Sequence, residues 1–515
     1  MFLWIVGVLS LYVSLPFVKF LRSDAVSWHD RYVPRGNFTE WVHAQNSIAL
    51  ERLLDNFIDE NGAILASPSR NEPDYYYQWV RDSAIVVNTL VKQLPAIEQN
   101  LQYDQLVHRR ILQFLNNSFV LQRLDNLSGK GVPTSIRGLG EPKFNVDNTQ
   151  FNENWGRPQN DGPPLRIITI LNYLQHLNNT GKQIDHIITH NAKEGFLPFK
   201  VTKDIFDNIL FWDLQFIVDE WKSENFDLWE EVRGHHFFTS VMQLYAIERT
   251  LPIAKQNHLL KKKFVESLVD TRHKIREFIL DSRTGFISKS ANHIISCPEI
   301  YGKRSGLDIA TILASIYTHD GSNTSEHLDL FHVDNRYILN TLYGLTESMS
   351  DLYPINKENE RHSKKHNLAA VALGRYPEDV YDGVGISEGN PWYLATAAAA
   401  EHMYKLARKF IEDEKSIPIS PNDEFWKFII ETDSKDKFDV KYDSHAFNET
   451  IKSFVALGDS FLDKIRLHVA DDGSMSEQIN KYTGYNQGAS DLTWSYGSYL
   501  NAYQAREEIL AYLSH

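Results

Sequence analysis

The stretch IKSFVALGDSFLDKIRLHV, residues 451–469, carries the pattern that decides the fold. Its residues Ile451, Phe454, Val455, Gly458, Phe461, Leu462, Ile465 and Val469 recur at the i, i+3, i+4, i+7 spacing that gathers them into one apolar stripe along a helix. Outward from it, stretches of the same period cover 83–95, 102–121, 162–178, 203–222, 236–252, 258–280, 306–317, 334–350, 391–412 and 490–511. Polar connections rich in Gly, Pro and Asn separate them. With short helices added, the pattern predicts about twelve helices. Asp161 ahead of Pro163-Pro164 and Asn390 ahead of Pro391 read as N-caps, each before a proline whose missing N–H costs nothing in a first turn. No βαβ alternation, no G-x-G-x-x-G after a strand and no short repeat occurs in the sequence, which argues against a nucleotide-binding sheet and a regular solenoid. An all-α domain of paired helices remains.

No Pro-rich or Ser/Thr-rich stalk divides the interior of the 515-residue chain, so residues 26–515 are read as one large domain, expected to be monomeric. A formal net charge of -14 argues against a nucleic-acid partner, because phosphate contacts need basic surface. A neutral substrate suits the composition better: 11 Trp and 24 Tyr offer flat apolar faces with polar edges, although core packing accounts for most of them. Cys297 is the one cysteine, so no intramolecular disulfide is possible. Residues 2–18 are almost wholly apolar and Ser23-Asp24-Ala25 follows as a small-x-small cleavage site. Residues 1–25 are therefore read as a signal peptide or, given Lys19 and Arg22 behind the apolar run, a signal anchor. Sequons at Asn37, Asn116, Asn126, Asn178, Asn323 and Asn448 suit the same secretory route, toward a secreted or vacuolar protein, or one held at a membrane if the segment is kept.

The unusual residues fall in the connections. Tyr75-Tyr76-Tyr77-Gln78-Trp79-Val80-Arg81-Asp82 precedes the helix at 83, and Asn154-Trp155-Gly156-Arg157-Pro158-Gln159-Asn160-Asp161 that at 162. Phe226-Asp227-Leu228-Trp229-Glu230-Glu231 precedes that at 236, Gly374-Arg375-Tyr376-Pro377-Glu378-Asp379 that at 391, and Ser474-Met475-Ser476-Glu477-Gln478 that at 490. In a closed ring of helix hairpins alternate connections gather at one end, so these five clusters can share one pocket. Ordinary surface turns stabilised by Asp and Pro are the alternative for any one of them.

Cleaving an acetal needs a protonated carboxylic acid on one side of the bond and a carboxylate on the other, with aromatic platforms and directional hydrogen-bond partners to hold the sugar. Asp227, Glu230 and Glu231 crowd beside Trp229, and repulsion with apolar contact is expected to raise the pKa of at least one, as a general acid requires. An acidic helix N-terminus is the alternative. Arg81-Asp82 and Arg375 with Asp379 are either structural ion pairs or, beside Trp79, Trp155 and Trp392, a clamp on sugar hydroxyls. His235-His236 and His362/His366 lack metal-ligand spacing, and Asp471-Asp472-Gly473 lacks the rest of a calcium loop and reads as a turn; no metal or cofactor is expected. No G-x-S-x-G elbow is present, and Cys297 has no local catalytic setting.

DYYYQWVRDS at 74, GLGEPKFNVDNTQF at 138, NWGRPQNDGP at 154, FDLWEEVRGHHFFT at 226, GRYPEDVYDGVGISEGNPW at 374, GSMSEQ at 473 and DLTWSY at 491 together resemble glycoside hydrolase family fifteen, the fungal and yeast glucoamylases. The resemblance implies an (α/α)6 barrel with a funnel-shaped pocket, and exo-acting, inverting release of glucose from the non-reducing ends of starch, dextrins or glycogen. It implies Glu230 as general acid, Glu477 as general base and Tyr75 beside the attacking water. It places Trp79, Arg81, Asp82, Trp155, Trp229, Glu231, Arg375, Asp379, Trp392 and Trp494 along the glucose subsites. Asp227, a second candidate for the base, is three residues from Glu230 and too close for inversion, which needs carboxyl groups roughly 6.5–9.5 Å apart; it is expected to tune Glu230. The sequence carries neither the Ser/Thr-rich stalk nor the C-terminal starch-binding module of many filamentous-fungal relatives, so soluble dextrins or glycogen are the expected substrates. A non-catalytic carbohydrate-binding protein and a trehalase-like exo-hydrolase on the same kind of barrel are the competing readings.

Overall fold

The structure, a computed structural model, describes residues 27–28, 37–98, 100–184, 199, 201–288, 290–319, 328–357, 370–421, 423–431 and 434–514. The expectations at 1–25, Asn323, His362 and His366 lie outside the described residues. Within them are fourteen helices: α1 Phe38–Asp55, α2 Val80–Ile97, α3 Leu101–Gln122, α4 Gly162–Asn179, α5 Thr202–Ile205, α6 Phe211–Glu220, α7 Phe237–Gln256, α8 Lys262–Leu280, α9 Ile309–Thr318, α10 Arg336–Leu352, α11 Tyr393–Glu412, α12 Glu424–Ile429, α13 His445–His468 and α14 Thr493–Leu513. A π-helical turn, Phe206–Leu210, joins α5 to α6, so the two run as one helix. Strands among the described residues form only five two-stranded antiparallel ribbons.

Burial sorts the long helices into two kinds. All ten residues of α9 are buried, so none of its faces meets water, whereas α8 buries only Leu268, Thr271, Ile275 and Ile279, a single stripe at helical spacing. Contacts explain the difference. α2 packs on α4, α4 on α7, α7 on α9, α9 on α11, α11 on α14, and α14 returns to α2. Around this closed ring α1 packs on α14, α3 on α2, α6 on α4, α8 on α7, α10 on α9 and α13 on α11. Outer and inner helices alternate along the chain, with α12 a short addition, and the result is an (α/α)6 barrel. Because every inner helix follows an outer one, all six outer-to-inner connections reach the same end of the ring. No helix among the described residues is long and apolar enough to cross a membrane.

The stretch 451–469 is α13, begun earlier than its stripe because Ser444 Oγ accepts the Phe447 N–H at 3.1 Å and caps it. α1 escapes the periodicity argument since its buried face runs through a polar residue, Gln45, whose amide donates to Gly473 O at 2.8 Å. Both cap expectations need correction. Asp161 does stand before α4, yet its carboxylate makes no cap bond and lies 3.4 Å from Arg81 Nη1, a buried charge that competes for it. α11 starts at Tyr393, past Pro391, and Asn390 donates instead to Gln478 Oε1 at 2.9 Å.

Gly458 sits in the α13 stripe for lack of room: a Cβ there would lie 2.5 Å from the Tyr404 ring of α11. Gly458→Val is expected to destabilise the fold by about 1–3 kcal/mol through overpacking. A lowered urea midpoint checks this, and an unchanged midpoint would mean that Tyr404 yields freely.

Candidate active site

The six connections end in one cavity of about 930 Å³. The first contributes Tyr75, Tyr77 and Trp79 with Arg81 and Asp82 from the start of α2; the second Lys143, Phe151 and Trp155; the third Trp229, Glu230 and Glu231. The fourth contributes Arg304, the fifth Arg375, Tyr381 and Trp392, and the sixth Glu477 with Trp494 from the first turn of α14. The indoles of Trp229 and Trp494 stack at 6.2 Å between centroids, with Trp392 tilted against Trp229 at 5.8 Å, and so present a continuous apolar surface. Trp229 Nε1 is turned away from it and donates to Asp308 at 3.1 Å.

Glu230 is held by its own loop. Asp227 Oδ1 accepts the N–H groups of Glu231 and Val232, each at 2.8 Å, and Asp227 O accepts that of Glu230 at 2.9 Å. The tight turn leaves Glu230 at φ 68°, in the left-handed region, a conformation that persists only where surrounding bonds impose it. Its carboxyl then receives Trp79 Nε1 at 2.6 Å and Gln159 Nε2 at 3.0 Å, with Arg81 Nη2 at 3.6 Å. All three act on Oε1.

Glu477 is wholly buried, and its N–H donates to Ala489 O at 2.8 Å across a tight ribbon, Gln478–Ile479 with Asn486–Gln487. Gly488, at φ 74°, allows the close approach: a Cβ there would lie 2.5 Å from Glu477 Oε2. Burial pushes the Glu477 carboxyl up to about 8, against the pull of Tyr75, Arg375 and Tyr381 toward the ionised form. The two phenols are bonded to each other at 3.0 Å.

Arg375 heads a compensated charge frame in the same cavity. Arg375 donates to both oxygens of Asp379, at 2.7 and 2.6 Å, and to Glu231 at 2.7 Å. Arg304 at 3.1 Å and the Tyr376 hydroxyl bond the other oxygen of Glu231. Burial would raise Glu231, but Arg375, Tyr376 and Arg304 together hold it below the usual range. Burial lifts Asp82 to about 6 despite Arg81, and lowers Lys143 to about 8. The Lys143 ammonium sits over the rings of Trp155, Tyr77, Phe151 and Trp79 at 3.7 to 4.5 Å.

Twelve of the sequence candidates thus line the cavity, and two do not. Asp227 faces its own loop and a separate void of about 20 Å³, because its oxygen is taken by backbone N–H groups, so it is not in reach of the cavity as a catalytic group. Asp379 does not line the cavity and stands behind Arg375, accepting two of its donors. Lys143, Arg304 and Tyr381 were not singled out from sequence. The first and third sit inside the quoted GLGEPKFNVD and GRYPEDVYDG motifs, while Arg304 and Asp308 belong to a connection with no Trp to mark it. His235 and His236 are structural: His235 pairs with Glu299 at 2.6 Å, and His236 bonds Asn225 O at 2.9 Å. No metal-binding group of three or more His, Cys, Asp or Glu occurs among the described residues.

The family model described as Glycosyl hydrolases family 15 matches residues 45–504. The chain belongs to this family. It is 42% identical, over 92% of its length and 84% of the relative's, to the intracellular sporulation-specific glucoamylase of Saccharomyces cerevisiae. Its fold matches a solved glucoamylase from Saccharomycopsis fibuligera with a TM-score of 0.83 and 38% identity, covering 93% of this chain and 98% of that one. A family 15 glucoamylase from Hypocrea jecorina matches with a TM-score of 0.75 and 30% identity over 92% of this chain and 73% of that one. The chain is a glycoside hydrolase on an (α/α)6 barrel.

Asp227 is expected to act on catalysis only through the turn that presents Glu230. Asp227→Ala should lower kcat by about a hundredfold with a smaller change in KM, the scale of an ångström-sized misplacement. Asp227→Asn, which keeps an acceptor oxygen, should recover most of it. Equal losses for both variants would show that the charge, not the turn, matters.

Proposed function

We propose that the chain is a glucoamylase, a glucan 1,4-alpha-glucosidase that removes terminal α-1,4-linked glucose from the non-reducing ends of starch, dextrins or glycogen with inversion. The observation that carries this reading is that Glu230 and Glu477, 247 positions apart in sequence, reach one cavity floored by stacked indoles. Glu230 is the general acid. It protonates the glycosidic oxygen as the C1–O bond breaks, and Trp79 and Gln159 fix its orientation from the far oxygen. Glu477 is the general base, taking a proton from a water that attacks C1 on the opposite face, with Tyr75 placed to position that water. Arg81, Asp82, Arg375 and Glu231 are read as hydroxyl partners of the sugars and Trp155, Trp229, Trp392 and Trp494 as their platforms. The apolar run at 2–18 and the sequons support the secretory route.

Maltotetraose hydrolysis followed by NMR should show β-glucose as the first-formed anomer. Initial α-glucose, or no release at all, would overturn the reading, and cleavage of trehalose alone would favour the other barrel hydrolase. Glu477→Gln should lower turnover at least about a hundredfold while maltose still binds; normal hydrolysis by that variant removes Glu477 from the mechanism.

The base must be ionised, so kcat/KM falls as pH drops through the Glu477 pKa. Tyr381→Phe removes a group that favours the carboxylate, raising that pKa. The acid-side limb of the pH profile should therefore move to higher pH, and a limb that stays put or moves down would show that Tyr381 does not act on Glu477.

A further inference from the structure

We propose that the rim of this cavity is built for an apolar leaving group, so that the enzyme also cleaves α-glucosides of hydrophobic alcohols. The inference rests on the roles given above to Glu230 and Glu477. Val380, Val384 and Ile386 line the cavity and are 46%, 57% and 85% exposed, so three aliphatic side chains of one hairpin stand in solvent at its mouth. Isolated exposed apolar residues are ordinary, but a cluster at a pocket mouth marks a contact surface.

The hairpin is preformed. Tyr381 pairs with Ile386, Ser387 N–H donates to Val380 O at 2.7 Å, and Gln487 Nε2 donates to Asp382 O at 2.5 Å. Gly383 rests against the backbone of Gly488, the residue that abuts Glu477, so the rim is braced on the strand beside the base. Its polar side chains are already engaged. Asp382 accepts the N–H groups of Val384 and Gly385 at 3.0 and 2.6 Å and the Ser387 hydroxyl at 2.5 Å, while Glu388 pairs with Lys481 at 2.6 Å.

A glucose unit laid on Val384 and Ile386 would find no hydrogen-bond partner in those two side chains and would leave its hydroxyls there to water, gaining nothing from the aliphatic surface. An alkyl or aryl group instead removes apolar surface from water on both sides, with Phe151 and Trp155 lining the same cavity. In the reaction the C1–O bond breaks, the alcohol leaves with the Glu230 proton, and a water oxygen bonds to C1 as its proton passes to Glu477.

The test compares octyl α-D-glucopyranoside, below its micellar concentration, with methyl α-D-glucopyranoside and maltose. The wild type should show a lower KM for the octyl than for the methyl glucoside, and the double variant Val384→Ser, Ile386→Ser should lose about tenfold of that preference. Calorimetric binding of the octyl glucoside to Glu230→Gln, with and without the rim substitutions, reads the same difference without turnover. Equal KM values for octyl and methyl glucosides, or a preference that survives the rim substitutions, overturns the inference. Failure of the wild type on maltose while the binding difference persists instead overturns the reading of the two carboxyl groups and leaves the rim supported.

Discussion

Closure of the ring is the contact on which the rest of the molecule depends. Thr493, the first residue of α14, donates its N–H to Ala66 O at 2.9 Å and its hydroxyl to Leu65 O at 2.5 Å. Asn56 donates to Thr493 Oγ1 at 2.8 Å, and Arg52 pairs with Asp491 at 2.9 Å and with Asp472 at 2.8 Å. These partners lie more than four hundred positions apart, and joining such distant segments carries a loop-closure cost that local helix formation does not repay. Packing of α14 on α2 and α1 supplies the difference. The same joint sets the Tyr75 segment beside the Glu477 segment, so the Glu477 side of the pocket exists only once the barrel has closed.

Within the closed ring the pocket is held by a repeated device. A side chain that faces the cavity is backed by an aspartate that does not: Arg81 by Asp161, Trp229 by Asp308, Arg375 by Asp379. The reason is the cost of buried charge and dipole. Removing one partner of a buried pair typically costs about 3–5 kcal/mol because the other is left uncompensated. With Asp379 taking two of its donors, Arg375 stays ionised and still donates to Glu231. Asp308 is lifted to about 7 by burial, and the Trp229 N–H and the Ala310 N–H it accepts favour its charged form.

This device explains what the sequence makes legible. Clusters drawn from Trp, Tyr, Arg and acidic residues before helices mark five of the six connections. The periodicity that predicts α13 likewise predicts most of the other long helices. The direction a side chain takes within a cluster is a different matter. Asp227 and Glu230 share a motif and face opposite ways, since backbone N–H groups of a turn choose between them, and no spacing rule carries that information. Arg304 and Asp308 are silent for the complementary reason: one charged residue and one cap in an unremarkable connection acquire meaning only when Glu231 and Trp229 arrive from another part of the chain.

The packing of the inner helices bears on the mode of attack. Seventeen of the twenty residues of α11 and all ten of α9 are buried, so the barrel axis beneath the indole floor is filled by side chains. Trp494 Nε1 donates downward to the Tyr317 hydroxyl at 3.2 Å, and around Tyr317, Ile85, Ile168 and Asn501 only about 10 Å³ is left open. A second cavity, of about 510 Å³ and lined by Lys405, Arg408 and Glu401, lies beyond that plug toward the other ends of the inner helices. The site is therefore a blind pocket, not a channel. A glucan cannot thread through it or lie across the two carboxyl groups with chain on both sides; a terminal unit has to enter end first. End-first entry thus follows from how tightly six helices fill their own axis.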